Sequence, residues 1–193
     1  MKRIWNDDEE TQMVHMTIEH WFPLSQDKER ALDYRNFLGV CKGGGDVAGP
    51  GRRVLCCDAS KGNEADLLVN PLDKSMMQRI AYMKDGTIYC LPTDGLDVDR
   101  INSDLNEVLC LNGKTDRHGS RIDTSTELLK GRRDAYARAQ KIYKDLADRK
   151  QLTSTQIKKR IQQIEQKEVY DEFEGTILFV LERKRKQLES QGK

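Results

Sequence analysis

The sequence predicts an α+β protein: a small strand–strand–helix core, a β-hairpin, and a mostly helical C-terminal third. Three observations predict it. Val14, Met16, Ile18, His20 and Phe22 alternate with polar neighbours, the period of a half-buried strand. Two strand-like runs, Ile80 to Met83 and Ile88 to Leu91, flank Lys84-Asp85-Gly86-Thr87, and Asp-Gly suits the positive φ angles of a tight turn. After Gly119, glycine and proline become scarce and apolar residues recur at threes, fours and sevens.

The elements follow in order. The alternating strand of residues 14–22 meets Pro23, which suits a strand end. Residues 36–41 form a second short apolar run. From Lys42 to Arg53 the chain reads as loop, with three consecutive glycines and then Gly49-Pro50-Gly51. A helix is expected from Asp58, its candidate N-cap, to about Leu68. The hairpin of residues 79–91 comes next. Ile101, Leu105, Val108 and Leu109 then give helical spacing over 98–109. In the last third, Thr124 with Glu127 and Thr153 with Gln156 read as capping boxes. Leu129, Tyr136, Ala139, Tyr143 and Leu146 mark one helical stripe, and Ile157, Ile161 and Ile164 a second. Phe173, Ile177, Val180 and Leu181 mark a third. The expected division is 1–118 for the core and 119–193 for a helical extension that offers a docking surface.

Composition narrows the function classes. The chain has 193 residues, 34% charged and 37% hydrophobic, with net charge +1. No run approaches the roughly 18 apolar residues of a membrane span, so no membrane partner is expected. The acidic stretch Asp7 to Glu10 does not resemble a signal peptide, and five cysteines form no regular disulfide framework. A reducing cytoplasm is the expected compartment. Cys90 and Cys110 lie in apolar runs and read as core residues. Charge is unevenly spread. Residues 130–160 hold eleven Lys or Arg against three acids, while 61–112 hold five against nine. The basic helical stretch suits phosphate contacts or a solvated helix face.

The chemistry-bearing residues cluster early. Glu19-His20 closes the first strand, Asn36 opens the second, and Asp58 and Lys61 lie in Cys56-Cys57-Asp58-Ala59-Ser60-Lys61-Gly62. Phosphodiester hydrolysis needs an activated water and a cation that stabilises charge on phosphorus and the leaving oxygen. Histidine is substantially neutral at pH 7 and suits water activation. Carboxylates suit Mg²⁺ or Mn²⁺. Asparagine both donates and accepts, and can hold an imidazole in place. In a regular strand Glu19 and His20 point to opposite faces, so they share a site only where the strand twists or ends.

Ile18-Glu19-His20-Trp21-Phe22-Pro23, Asn36-Phe37-Leu38-Gly39-Val40-Cys41 and Cys57-Asp58-Ala59-Ser60-Lys61-Gly62 together resemble the HNH endonuclease motif, a ββα-metal fold. The branch they resemble most is the HNH-like subunit of Septu-type and retron-associated anti-phage systems. Asp66-Leu67-Leu68-Val69-Asn70-Pro71, Gly86-Thr87-Ile88, Leu109-Cys110-Leu111-Asn112 and Phe173-Glu174-Gly175 agree with that branch. The resemblance implies a metal-dependent DNA endonuclease with His20 as general base and Glu19 as a ligand to Mg²⁺ or Mn²⁺. It implies that Asn36 orients the base and that Lys61 touches phosphate. Asp58 stands where the third motif letter is usually His or Asn, and is the second expected metal ligand. Many relatives carry a structural Zn²⁺ on two cysteine pairs. Cys41 and Cys57 match the later pair, with Cys56 as a substitute, but residues 1–18 contain no cysteine, and His15 is a candidate replacement there. The resembled systems pair the nuclease with an ABC-type ATPase, which implies a homo- or hetero-oligomer. Two other readings stay open: a degenerate fold that binds DNA or a partner without cutting, and a helical interaction protein whose N-terminal part is scaffold.

Overall fold

A computed structural model of the protein describes residues 17–40, 43, 54–63, 66–169 and 171–192. The chain is α+β, and its strands form small two-stranded pairs. It divides into two compact units: residues 4–81 with 88–129, and residues 82–87 with 130–193. The hairpin tip, residues 82–87, groups with residues 130–193.

In the first unit, β1 (Thr17–His20) pairs antiparallel with β2 (Phe37–Val40), with Glu19 opposite Leu38 and His20 opposite Phe37. The expected strand positions 14–16 and most of the expected loop at 42–53 lie outside the described residues. Two 3-10 turns, Lys28–Leu32 and Tyr34–Asn36, fill the β1–β2 connection, capped by the side chains of Asp27 and Asp33. Helix α1 is short, Asp58–Lys61. Asp58 is its first helical residue rather than its N-cap, and Cys57 takes the cap position with φ 55°. The helix stops at Gly62, whose φ of 66° is costly for any residue with a Cβ. Gly43 is fixed for a related reason. It accepts from the Cys56 amide at 3.0 Å, and an added Cβ would overlap the Cys56 carbonyl.

The rest of the unit packs around Val54, Cys56, Leu67, Val69, Ile80, Ile88, Cys90, Ile101, Leu105 and Cys110, all buried. Cys90 and Cys110 are each 1% exposed, as core residues should be, and burial raises both thiol pKa values. Helix α2 (Lys74–Met77) is capped by Asp73. Helix α3 (Val98–Ser103) begins on the Asp97 cap and runs into a π turn at Asp104–Val108. Asp104 is fully buried, yet satisfied by the Leu68 amide at 2.7 Å and Arg100 Nε at 3.2 Å. Strands β3 (Ile80–Tyr82) and β4 (Ile88–Cys90) form the expected hairpin. Its loop has three residues, not two. Met83 N donates to Thr87 O, and Gly86 is the loop residue with positive φ, whereas a two-residue type I′ turn needs two. A further pair, β5 (Lys114–Thr115) and β6 (Arg121–Ile122), was not foreseen.

The helices of the last third form as their apolar stripes predict. Helix α4 (Leu128–Asp148) starts one residue beyond the first expected box. Thr124 Oγ1 accepts from Leu128 N and Asp123 Oδ1 from Leu129 N, while Glu127 takes a positive φ. Helix α5 (Ser154–Glu165) has Thr153 as N-cap, accepting from Gln156 N as expected. Helix α6 (Glu174–Ser190) follows Phe173, held in the left-handed region at φ 60°. Ile157, Ile161, Ile177, Val180 and Leu181 are buried in this unit, and the hairpin-tip Tyr82 ring lies 5.4 Å from that of Phe179. Gly131 is a packing necessity, because a Cβ there would overlap the buried Phe173 ring. Alanine is the better helix former by about 1 kcal/mol. Overpacking costs roughly 1–3 kcal/mol and outweighs that gain. Gly131→Ala should therefore lower the melting temperature, read by circular dichroism; a higher one would show that Phe173 yields freely.

Candidate active site

The site is built at the end of β1, where regular strand geometry stops. His20 is the last residue of β1 and the chain bends at Trp21 and Phe22. That bend frees Glu19 and His20 from strict alternation. Asn36 fixes it. Its backbone carbonyl accepts from Trp21 N at 2.9 Å. Its side-chain Oδ1 accepts from Phe22 N at 2.6 Å and its Nδ2 donates to Phe22 O at 3.0 Å. Asn36 is 3% exposed, so both amide groups of its side chain are used on the backbone. The structure places this residue on the turn that follows His20 rather than on the imidazole.

The His20 ring is held by two other contacts. Nε2 lies 3.1 Å from Ala31 O, and the ring stands edge-on to Phe37 with centroids 5.0 Å apart. A carbonyl only accepts, so Nε2 is the donor in this contact. In the neutral ring, Nδ1 then keeps its lone pair. That is the form a general base needs. The Ala31 carbonyl was missed in the sequence. The signal for it was local: Asp27 and Asp33, each able to cap a short turn in the β1–β2 connection.

Lys61 ties α1 to this strand end. Its Nζ donates to His20 O at 2.8 Å and to Trp21 O at 3.0 Å, and it meets Glu19 Oε1 at 3.4 Å. The side chain is 3% exposed. An ammonium has three protons, and three protein acceptors surround this one. Lys61, expected against phosphate, is therefore turned inward as a pinning charge.

Glu19 and Asp58 come together through that pin. The Asp58 carboxyl lies near enough to that of Glu19 to act on its ionisation. Burial, and then the adjacent Asp58 carboxyl, push the Glu19 pKa above its ordinary value of 4.5; Lys61 opposes this without cancelling it. Two carboxyl groups held this close share a proton or a cation. Their oxygens suit a hard divalent ion such as Mg²⁺ or Mn²⁺, which accepts one or two protein carboxylates and fills its other positions with water and substrate oxygens. Among the described residues, no group of three or more His, Cys, Asp and Glu side chains is placed to hold a metal.

The cysteines do not assemble a zinc centre among the described residues. Cys41 lies outside them. The thiols of Cys56, Cys57, Cys90 and Cys110 are not in disulfides. Cys56 is fully buried with its sulfur 3.2 Å from Thr126 Oγ1 and 3.7 Å from Gly43 O. Cys57 is partly exposed at the start of α1, and its amide donates to Leu109 O at 2.9 Å. The donor set that Zn²⁺ requires is not brought together by these residues.

No protein-family model, no curated protein and no solved structure matches the chain.

The raised Glu19 pKa has a stability consequence. The unfolded carboxyl ionises at lower pH than the folded one. The stability Glu19 contributes is therefore fully present below its unfolded value and is lost as pH rises through the raised folded value. Glu19→Gln keeps the shape and removes the ionisation. In urea titrations with EDTA, the wild type should lose stability relative to Glu19→Gln as pH climbs from about 4.5 toward neutrality. A pH-independent difference between the two would show that the carboxyl pair carries no such strain.

Proposed function

We propose that this unit is a metal-dependent endonuclease of the HNH, ββα-metal type that hydrolyses DNA phosphodiester bonds. The observation that supports the reading is the proximity of Glu19 and Asp58 at the end of the strand that carries His20, with α1 tied to that strand end by Lys61. Glu19 and Asp58 would hold Mg²⁺ or Mn²⁺. When bound, that ion supplies charge stabilisation at the phosphoryl and leaving oxygens.

The chain's own residues do the rest. His20 keeps a lone pair on Nδ1 because its Nε2 proton is given to Ala31 O. That nitrogen takes the proton of the attacking water. The edge contact with Phe37 limits how far the ring can tilt. Asn36 acts one step away, by fixing the Phe22 backbone and so the strand end that carries the base. Lys61 offsets part of the charge of the paired carboxyls and keeps Asp58 within reach of Glu19. The net charge of +1 gives the chain little general affinity for DNA. A partner that supplies affinity and control fits that balance, and the resembled defence systems provide an ABC-type ATPase in that place.

The test is relaxation of supercoiled plasmid with Mg²⁺ or Mn²⁺ by wild type and His20→Ala, each purified with whatever ATPase accompanies it. Wild-type cleavage should be abolished by EDTA. General-base loss should slow it by roughly 10²- to 10⁴-fold. Equal cleavage by the two proteins would remove His20 from the mechanism. Absence of cleavage by wild type with either metal and with nucleotide would favour the non-cutting, binding reading.

A further inference from the structure

The β1–β2 connection presents two side chains that the fold does not use. Leu32 is 85% exposed and Tyr34 86% exposed, the two most exposed large apolar residues among those described. They do not sit on slack chain. Asp27 caps the first 3-10 turn and accepts from Arg30 Nε at 2.9 Å; Asp33 caps the second, and its own amide donates to Arg30 O. The segment is thus braced while holding apolar surface in water, an arrangement that costs hydrophobic free energy unless something covers it.

The position of Tyr34 indicates what covers it. Its ring lies 5.5 Å from that of Phe37, and Phe37 lies 5.0 Å from His20, so the exposed ring is one aromatic removed from the proposed base. Lys28 and Arg35 are exposed on the same segment and form no ion pair with any described residue. An exposed aromatic with Lys28 and Arg35 on the same segment, next to the proposed phosphodiester-cleaving site, matches a nucleic-acid strand. Its bases stack on π faces, and its phosphates meet Lys and Arg.

We infer that Tyr34, with Leu32 beside it, is a stacking platform for a DNA base adjacent to the phosphate that His20 acts on, and that Lys28 and Arg35 contact the phosphates flanking it. This rests on the nuclease reading and deepens it by naming how the strand is positioned. Tyr34 is a positioning residue, since it reaches the reacting atoms only through the strand it holds.

The test uses the full chain and a 20-nucleotide single-stranded DNA carrying 2-aminopurine, titrated in EDTA so that no cleavage occurs. Wild type should change the 2-aminopurine fluorescence on binding. Tyr34→Ala should lose that change and bind roughly tenfold more weakly. Tyr34→Trp should retain it. Because EDTA blocks cleavage in every arm, the binding readout separates positioning from chemistry. Because Tyr34 is exposed, Tyr34→Ala and Tyr34→Trp should melt as wild type does. Unaltered binding and fluorescence in Tyr34→Ala, with wild type cleaving DNA, would overturn the platform alone. Tyr34-dependent stacking by a wild type that never cleaves would uphold the platform and overturn the nuclease. Loss of a co-purifying protein by Tyr34→Ala, with DNA binding intact, would overturn the platform in favour of a protein contact.

Discussion

One buried ammonium holds the candidate site together. Lys61 reaches from α1 to the last carbonyls of β1 and to Glu19, with its side chain almost wholly out of water. Burying a charge is costly unless every proton finds an acceptor. Here the acceptors are the backbone of His20 and Trp21 and the Glu19 carboxyl, so satisfying the charge also sets the distance between helix and strand. Asp58, three residues before Lys61 on the same helix, is carried close to Glu19 as a result. Asn36 completes the frame from β2 by closing the turn beyond His20. Lys61 and Asn36 thus act on geometry; in the proposed nuclease the chemistry would fall to Glu19, Asp58 and His20.

The same frame stores electrostatic strain. A fold optimised for stability alone would not bring two carboxyl groups close together in a partly buried place. Burial raises the Glu19 pKa most, the Asp58 carboxyl adds to it, and Lys61 opposes both. A divalent cation between the two carboxylates would offset their mutual repulsion. The uncovered Leu32 and Tyr34 are a second local concession, on the β1–β2 connection. Both lie close to His20, whereas the helical unit buries its apolar stripe in the ordinary way, through Ile157, Ile161, Ile177, Val180 and Leu181.

Much of the fold was legible because it is written in periodicity. The helices of the last third, the β3–β4 hairpin and the β1–β2 pair follow from apolar spacing and turn residues, which are local signals. Helix α1 was overextended because apolar residues continue to Leu68, while Gly62 ends it by a backbone conformation that spacing does not reveal. The site was partly legible. Glu19, His20 and Asp58 were picked out by residue chemistry and by resemblance, and the structure brings the two carboxyls together. The inward turn of Lys61 and the use of Asn36 on Phe22 depend on contacts between segments 14 to 42 residues apart, which no local pattern encodes. The Ala31 contact to His20 likewise required the 3-10 turns, which have too few residues to show a period.

The central claim is that Glu19 and Asp58 form one seat for a divalent cation. Its most direct test is a Mn²⁺ titration of the metal-free chain at pH 7.5 to 8, roughly where carboxylates are ionised, with free Mn²⁺ read by electron paramagnetic resonance. Wild type should bind the ion with one-to-one stoichiometry, and Asp58→Asn and Glu19→Gln should each weaken it by roughly tenfold or more, a loss of about 1.4 kcal/mol. Equal Mn²⁺ affinity in wild type and both variants would contradict the account, because the paired carboxyls would then not be where the metal binds.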